Sequence, residues 1–169
     1  WAAGTDYSHA SKAFADVLLP DAPYIDPESL GQAYEDFDEF LRHSLANGYN
    51  AVAFPGFVEF VTFDEAPGGP VYADGDDHRA KALALREAFG PFWDRADELG
   101  VDVFLRTDML TLTTPLAQHL TDRFGGLDTT NPELWDVYAA GLDELYAAEP
   151  ALDGVLIRIG EAGQVYDVE

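Results

Sequence analysis

The sequence predicts an α/β protein whose parallel strands and helices alternate as β-α-β-α-β-α-β, which is half of a TIM (β/α)8 barrel. Short apolar runs alternate with amphipathic helical stretches along the chain. Turns from helix to strand are short, whereas the strand-to-helix segments 55–76 and 106–129 greatly exceed the usual span of about two to six residues. Long loops at the carboxyl ends of the strands are typical of barrels. A doubly wound sheet is the competing fold, but no G-x-G-x-x-G motif opens a helix.

Three helices are predicted from their capping residues and apolar spacing. The first begins at Asp26-Pro27, a cap followed by proline at the first helical position, and ends at 47–48. The second covers about 77–99. The third opens at 130–133 with an expected capping box and ends before Pro150.

Four strands are predicted, near residues 15–19 and at 51–54, 101–105 and 155–159. The last is almost wholly apolar, which is typical of a strand buried on both faces. Because the chain starts at Trp1 and stops soon after this strand, we expect residues 1–169 to be a single α/β piece excised from a longer chain. It would be the N-terminal half of a catalytic barrel, completed by the remaining half in the same polypeptide.

Composition narrows the classes of partner. The protein is acidic, with 32 Asp and Glu against 9 Lys and Arg and a net charge of −23. We expect no nucleic acid or membrane partner, because phosphate binding needs basic residues and the apolar runs are too short to span a bilayer. The absence of cysteine excludes disulfides and thiolate sites and leaves both secretion and a bacterial cytoplasm open.

The strongest candidate site follows the last strand, in the sequence Arg158-Ile-Gly-Glu161-Ala-Gly. Glu161 comes just beyond a carboxyl strand end, where barrel enzymes place their chemistry, so we expect it to be a catalytic carboxylate. Arg158 interrupts an apolar strand, which is costly without a partner. It is predicted either to contact substrate or tune Glu161, or to form an internal salt bridge with an acid such as Asp108.

Two further groups are expected at the same end of the barrel. Arg106 and Asp108 follow the strand at 101–105, and we expect them to bind substrate, with a cap of its own loop as the alternative role of Asp108. Phe57 and Glu59 lie in the loop after 51–54, where an aromatic face and an acid suit a sugar ring. The alternative is a small apolar cluster that folds this loop over the barrel rim. No metal site and no cofactor are predicted.

The chain resembles the amino-terminal half of (β/α)8-barrel glycoside hydrolases, and most of all α-glucuronidase-like families. The resemblance lies in three stretches, at 47–54, 98–105 and 158–163, the last reading Arg-Ile-Gly-Glu-Ala-Gly. It implies that Glu161 is the proton donor and that the second catalytic carboxylate belongs to a later strand. Gly160, where the commonest barrel glycosidases have asparagine before the acid, departs from their pattern.

The predicted function is that of a glycosidase, a hydrolase of carbohydrate metabolism that cleaves O-glycosidic bonds with a carboxylate pair including Glu161. Arg158 and Arg106 are expected to orient the carbohydrate substrate, since arginines suit a carboxylate. Two alternatives stay open. One is a non-catalytic carbohydrate-binding or structural α/β module, and the other is a metal-dependent barrel lyase or isomerase.

Overall fold

A computed structural model describes residue 14 and residues 16–159 of the chain, and in this part it has three parallel strands and four α-helices. The elements in chain order are α1 Pro27–Ala46, β1 Ala51–Pro55, a short 3-10 helix at Val58–Phe60, α2 Asp77–Glu98, β2 Asp102–Asp108, α3 Thr114–Phe124, α4 Pro132–Ala148 and β3 Gly154–Arg158. The α/β class and the three helices expected from the sequence are confirmed, and α3 is an additional helix.

Side-chain caps fix where the helices begin. Asp26 accepts a hydrogen bond from the Ser29 backbone N–H at 2.8 Å, as predicted for the start of α1. At α4 the cap is Asn131, whose Oδ1 accepts from the Glu133 N–H at 3.0 Å. The predicted capping box is therefore wrong by one residue, because the Thr130 hydroxyl donates instead to Asp128 at 2.7 Å.

Helix α3 lies inside the segment 106–129, which was predicted to be a long loop. Its cap is Thr113, whose hydroxyl accepts from the Leu116 N–H at 3.2 Å. A proline follows in the first turn, and the helix ends at Gly125 with φ of 77°, in the left-handed region that favours glycine. Leu116 and Leu120 are fully buried beneath it, so packing against the core stabilises a helix of only 11 residues.

The strands form one parallel sheet in the order β1-β2-β3, so each strand pairs with its neighbour in sequence. Parallel crossovers are almost always right-handed. Two such crossovers that advance in the same direction across a sheet put their helices on the same face. The described sheet shows no reversal of strand order of the kind that defines a doubly wound sheet.

One face of the sheet is covered and forms the core. Side chains of Phe54, Val103 and Leu105 point to this face and are 0–3% exposed. The Phe54 ring contacts Phe37 of α1 at 5.3 Å and Trp93 of α2 at 6.3 Å between ring centroids. Helices α1 and α2 thus bury this face.

The opposite face, called here the open face, carries Ala51, Ala53, Phe104 and Leu156. Both alanines are exposed, Phe104 is half-buried and Leu156 is 46% exposed. The Phe104 ring lies over Gly154, where an added Cβ would be 3.0 Å from the ring. Within the described chain, no helix buries this face as α1 and α2 bury the other.

Three details of the predicted strands are corrected. Residues 16–19 form a turn with a single antiparallel bridge, Leu18 to Ile25, because Pro20 and Pro23 turn the chain straight back on itself. Strand β2 runs on to Asp108, since its last residues pair with β3. Strand β3 is not buried on both faces: at this edge of the sheet Ile157 is 55% exposed.

Candidate functional site

The carboxyl ends of β2 and β3 bring three predicted site residues together on the open face. Asp108 and Arg158 are direct neighbours in the parallel register and each ends its strand. Arg106 lies two residues before Asp108 and therefore on the same face. Arg106 and Asp108 are thus part of β2, whereas the sequence predicted that they follow it.

Asp108 and Arg158 form a two-pronged ion pair. The Arg158 Nε and Nη2 atoms donate to the two Asp108 carboxylate oxygens at 2.6 and 2.8 Å. The side chains are 45% and 35% exposed, so water screens this pair in part. Hydrogen bonding by Arg158 lowers the pKa of the Asp108 carboxyl, with a further contribution from the charge of Arg106. Asp108 is therefore a carboxylate anion at neutral pH, suited to accepting hydrogen bonds rather than to donating a proton.

Arg106 is held by its backbone and leaves its guanidinium available. Its carbonyl accepts a hydrogen bond from the Gly56 N–H at 2.9 Å, which extends the β1–β2 ladder beyond Pro55. Gly56 has φ of 115° and an added Cβ would lie 2.8 Å from the Phe60 ring, so this turn requires glycine. The half-buried Arg106 guanidinium makes no hydrogen bond or ion pair within residues 16–159.

The end of β2 and the turn after it contain groups that the sequence analysis did not single out. The hydroxyls of Thr107 and Thr111 lie 3.1 Å apart, and both donate to the Asp108 carbonyl oxygen. Leu110 between them is 2% exposed and has φ of 56°, which is unusual for a bulky residue. The buried Tyr138 hydroxyl donates to the Thr111 carbonyl at 3.2 Å. The spacing Thr-x-x-x-Thr after a strand was the available signal for a hydroxyl-stabilised turn.

The loop after β1 packs into the core. Phe57 is 4% exposed, and its ring centroid lies 6.5 Å from that of Tyr138. Phe60 and Phe63 are also buried, at 5% and 1% exposed. This corresponds to the alternative interpretation of the loop as an apolar cluster, and in this arrangement Phe57 offers no open face to a sugar ring. Glu59 is exposed, and its Oε2 accepts the Phe57 N–H at 3.0 Å.

A buried polar network fixes the same loop to the helices. Glu144 of α4 accepts at one oxygen from the Thr62 N–H, the Thr62 hydroxyl and Arg86 of α2, at 2.8, 2.8 and 2.7 Å. Thr62 is 2% exposed. Because these bonds join the loop to two helices, they hold it against α2 and α4.

Glu161, the expected catalytic residue, lies outside the described residues. Strand β3 ends at Arg158, three residues before it. Among residue 14 and residues 16–159, no group of three or more His, Asp and Glu side chains could hold a metal ion. No helix within that part is long and apolar enough to cross a membrane.

Comparison with known proteins gives no assignment. No family model, no curated protein and no solved structure matches this chain.

Proposed function

We propose that this chain is the N-terminal half of the catalytic barrel of a glycosidase, in which Glu161 is the acid/base residue. The open face of the sheet is the inner wall of that barrel, and the remaining half of the same polypeptide closes it. The substrate is a carbohydrate, bound at the carboxyl ends of the strands, and the reaction is hydrolysis of an O-glycosidic bond.

One observation carries this proposal: the strands follow one another in sequence order, with one covered face and one open face. Small and apolar side chains on the open face, Ala51, Ala53, Phe104 and Leu156, suit the packed interior of a barrel. A face that left these residues in water would lose the burial that stabilises parallel sheets. Apart from Asp102 at its amino end, the charged side chains of this face lie at its carboxyl end, where barrel enzymes bind their substrates.

The carboxyl groups at this edge would have different roles in the reaction. Because the Arg158 pair keeps Asp108 ionised, Asp108 accepts hydrogen bonds from substrate hydroxyls and does not act as the acid. Proton donation then falls to Glu161, three residues beyond β3. The exposed Glu59 follows β1 and is a second acceptor at the rim. A carboxylate on a later strand completes the catalytic pair that glycosidases need.

The proposal is tested by turnover of the full-length protein on a panel of aryl glycosides, including uronides. Glu161→Gln keeps the size of the side chain and removes its titratable proton, so kcat should fall by about 100-fold or more, the usual contribution of general acid–base catalysis. Glu39→Gln is the matched control, since Glu39 is exposed on α1, a helix of the covered face. It should leave kcat unchanged.

Each rival predicts a different result. A sugar-binding module would bind members of the panel with no turnover by the wild type. A metal-dependent lyase or isomerase would lose its activity on chelation, and its products would be unsaturated or rearranged sugars. Full activity of Glu161→Gln would reject the assignment of the acid even if the protein proved to be a glycosidase.

A further inference from the structure

We propose that Thr111 and Tyr138 are positioning residues of this site, which hold the Asp108 carboxylate in the orientation in which it accepts hydrogen bonds from the substrate. Both act through the turn 108–111 that follows β2, and not by contact with the substrate. This inference rests on the proposed function for the substrate and for the role of Asp108. The way in which the turn holds Asp108 is testable without any substrate.

The turn contains a strained residue. Within residues 16–159, three residues other than glycine have a positive φ, namely Tyr24, Phe63 and Leu110. Leu110 has φ of 56° and a side chain that is 2% exposed. Glycine would relieve this strain, but it would also remove the buried side chain that ties the turn to the core. Strained backbone persists only where its surroundings fix it, and it is concentrated at functional sites.

Three donors converge on the carbonyl oxygen of Asp108. The Thr111 N–H and hydroxyl donate to it at 3.4 and 2.9 Å, and the Thr107 hydroxyl donates at 3.2 Å. On the other side of the same peptide group, the Met109 N–H donates to the Arg158 carbonyl at 3.0 Å. Because both sides of this peptide group are held, the backbone at Asp108 has little freedom to rotate. Its side chain therefore leaves the strand in one fixed direction.

Tyr138 of α4 holds the far end of the turn. Its hydroxyl donates to the Thr111 carbonyl at 3.2 Å. Its ring is 9% exposed, and the ring centroid lies 5.8 Å from that of Trp135 and 6.5 Å from that of Phe57. Burial raises the pKa of the Tyr138 hydroxyl, so this group stays protonated as a donor at neutral pH. Thr111 is thus bonded to Asp108 by its hydroxyl and to α4 by its carbonyl.

Stability alone is a poor explanation for so firmly held a residue. The Asp108 and Arg158 side chains are 35% and 45% exposed, and an ion pair as exposed as this one contributes little to folding. A group that binds substrate, by contrast, has to be held to within about 0.5 Å by neighbouring hydrogen bonds. The strained turn and the three donors meet that requirement for the Asp108 carboxylate.

The first readout is the pKa of Asp108 in the full-length protein, from its carboxyl ¹³C resonance, which is assigned by its absence in Asp108→Asn. Thr111→Val removes the hydroxyl and keeps the branched shape, whereas Thr111→Ser keeps the hydroxyl. A looser turn weakens the two-pronged pair with Arg158, so the pKa of Asp108 should rise towards its ordinary value in Thr111→Val. In Thr111→Ser it should stay at the wild-type value. Tyr138→Phe removes the other hydroxyl and should also raise it.

Thr121→Val is the matched control. The Thr121 hydroxyl on α3 also donates to a backbone carbonyl, that of Ala117, at 2.8 Å. Its loss removes the same kind of hydrogen bond as Thr111→Val, but away from the turn 108–111. The pKa of Asp108 should therefore be unchanged in this variant.

The second readout is the kinetics of turnover on the aryl glycosides. Asp108 binds the substrate and Glu161 donates the proton, so Thr111→Val should act on KM and leave kcat almost unchanged. KM should rise by about 10-fold, the scale of one charge-assisted hydrogen bond. Thr111→Ser should restore KM.

Two results would overturn the inference: an Asp108 pKa in Thr111→Val equal to that of the wild type, or a serine variant that behaves like the valine variant. The turn would then serve stability alone. Tyr138→Phe covers the case in which Thr111→Val does not fold, and an unchanged Asp108 pKa there would remove Tyr138 from the inference. A wild type without turnover would reject the proposed function, and the ¹³C titration would still decide whether the turn positions Asp108.

Discussion

Replacing two helical glycines by alanine should have unequal effects on stability. Gly141 lies in α4, and a Cβ added there would be 2.6 Å from the Phe63 ring and 3.1 Å from a Val61 methyl group. Gly31 lies in α1, and a Cβ there would meet nothing within 4 Å. Both substitutions gain the same helix propensity, about 1 kcal/mol over glycine.

The difference between the two variants therefore isolates the clash at Gly141. Phe63 and Val61 are 0–1% exposed, and Phe63 has φ of 52°, so neither can move aside easily. Overpacking of this kind costs about 1–3 kcal/mol. Gly31→Ala should raise the free energy of unfolding by up to about 1 kcal/mol, and Gly141→Ala should lie about 1–3 kcal/mol below it.

Urea unfolding of both variants beside the wild type, followed by circular dichroism, gives the two values. The slope of unfolding free energy against urea should be the same for all three proteins. Equal stabilisation by both substitutions would refute the reasoning. It would mean that the loop after β1 does not lie against α4 at Gly141.

Two predictions concern the Asp108–Arg158 pair. Arg158→Gln should raise the pKa of Asp108 towards its ordinary value, measured from the pH dependence of its carboxyl ¹³C resonance, because Arg158 is the main cause of the lowered pKa. Because folding lowers the pKa of this carboxyl, its ionised form stabilises the native state at pH values above the unfolded pKa of about 3.9. This stabilisation is lost as the pH falls through the lower pKa of the folded state. Stability should therefore fall more on acidification below about pH 4 in the wild type than in Arg158→Gln, and identical pH profiles would contradict the pairing.

Local sequence signals were enough to place most of the elements. Helices α1 and α4 begin within one residue of the starts predicted from Asp26-Pro27 and Asn131-Pro132, because a capping residue acts over a single turn. Helix α3 was missed because it is short and lies inside a segment identified only by its length. Its signals, Thr113-Thr-Pro and a glycine at 125, are nevertheless local ones.

What the sequence could not determine depends on contacts between distant segments. The end of β2 at Asp108 is set by pairing with β3, some 50 residues later. Burial of Phe57 follows from Tyr138 of α4 lying beside it, which no spacing within the loop predicts. For Arg158 the sequence offered both a salt bridge with Asp108 and a substrate contact, and only the register of the strands shows that the bridge forms.

The proposal that the open face is the inside of a closed barrel can be tested directly by cysteine reactivity. The chain contains no cysteine, so one can be introduced by Ala53→Cys on the open face, and by Tyr49→Cys at a position where the native side chain is 68% exposed. In the full-length protein, a maleimide should label position 53 much more slowly than position 49, because a closed barrel has a packed interior. Equal labelling rates at the two positions would mean that the open face meets solvent, and would contradict the barrel and the site built on it.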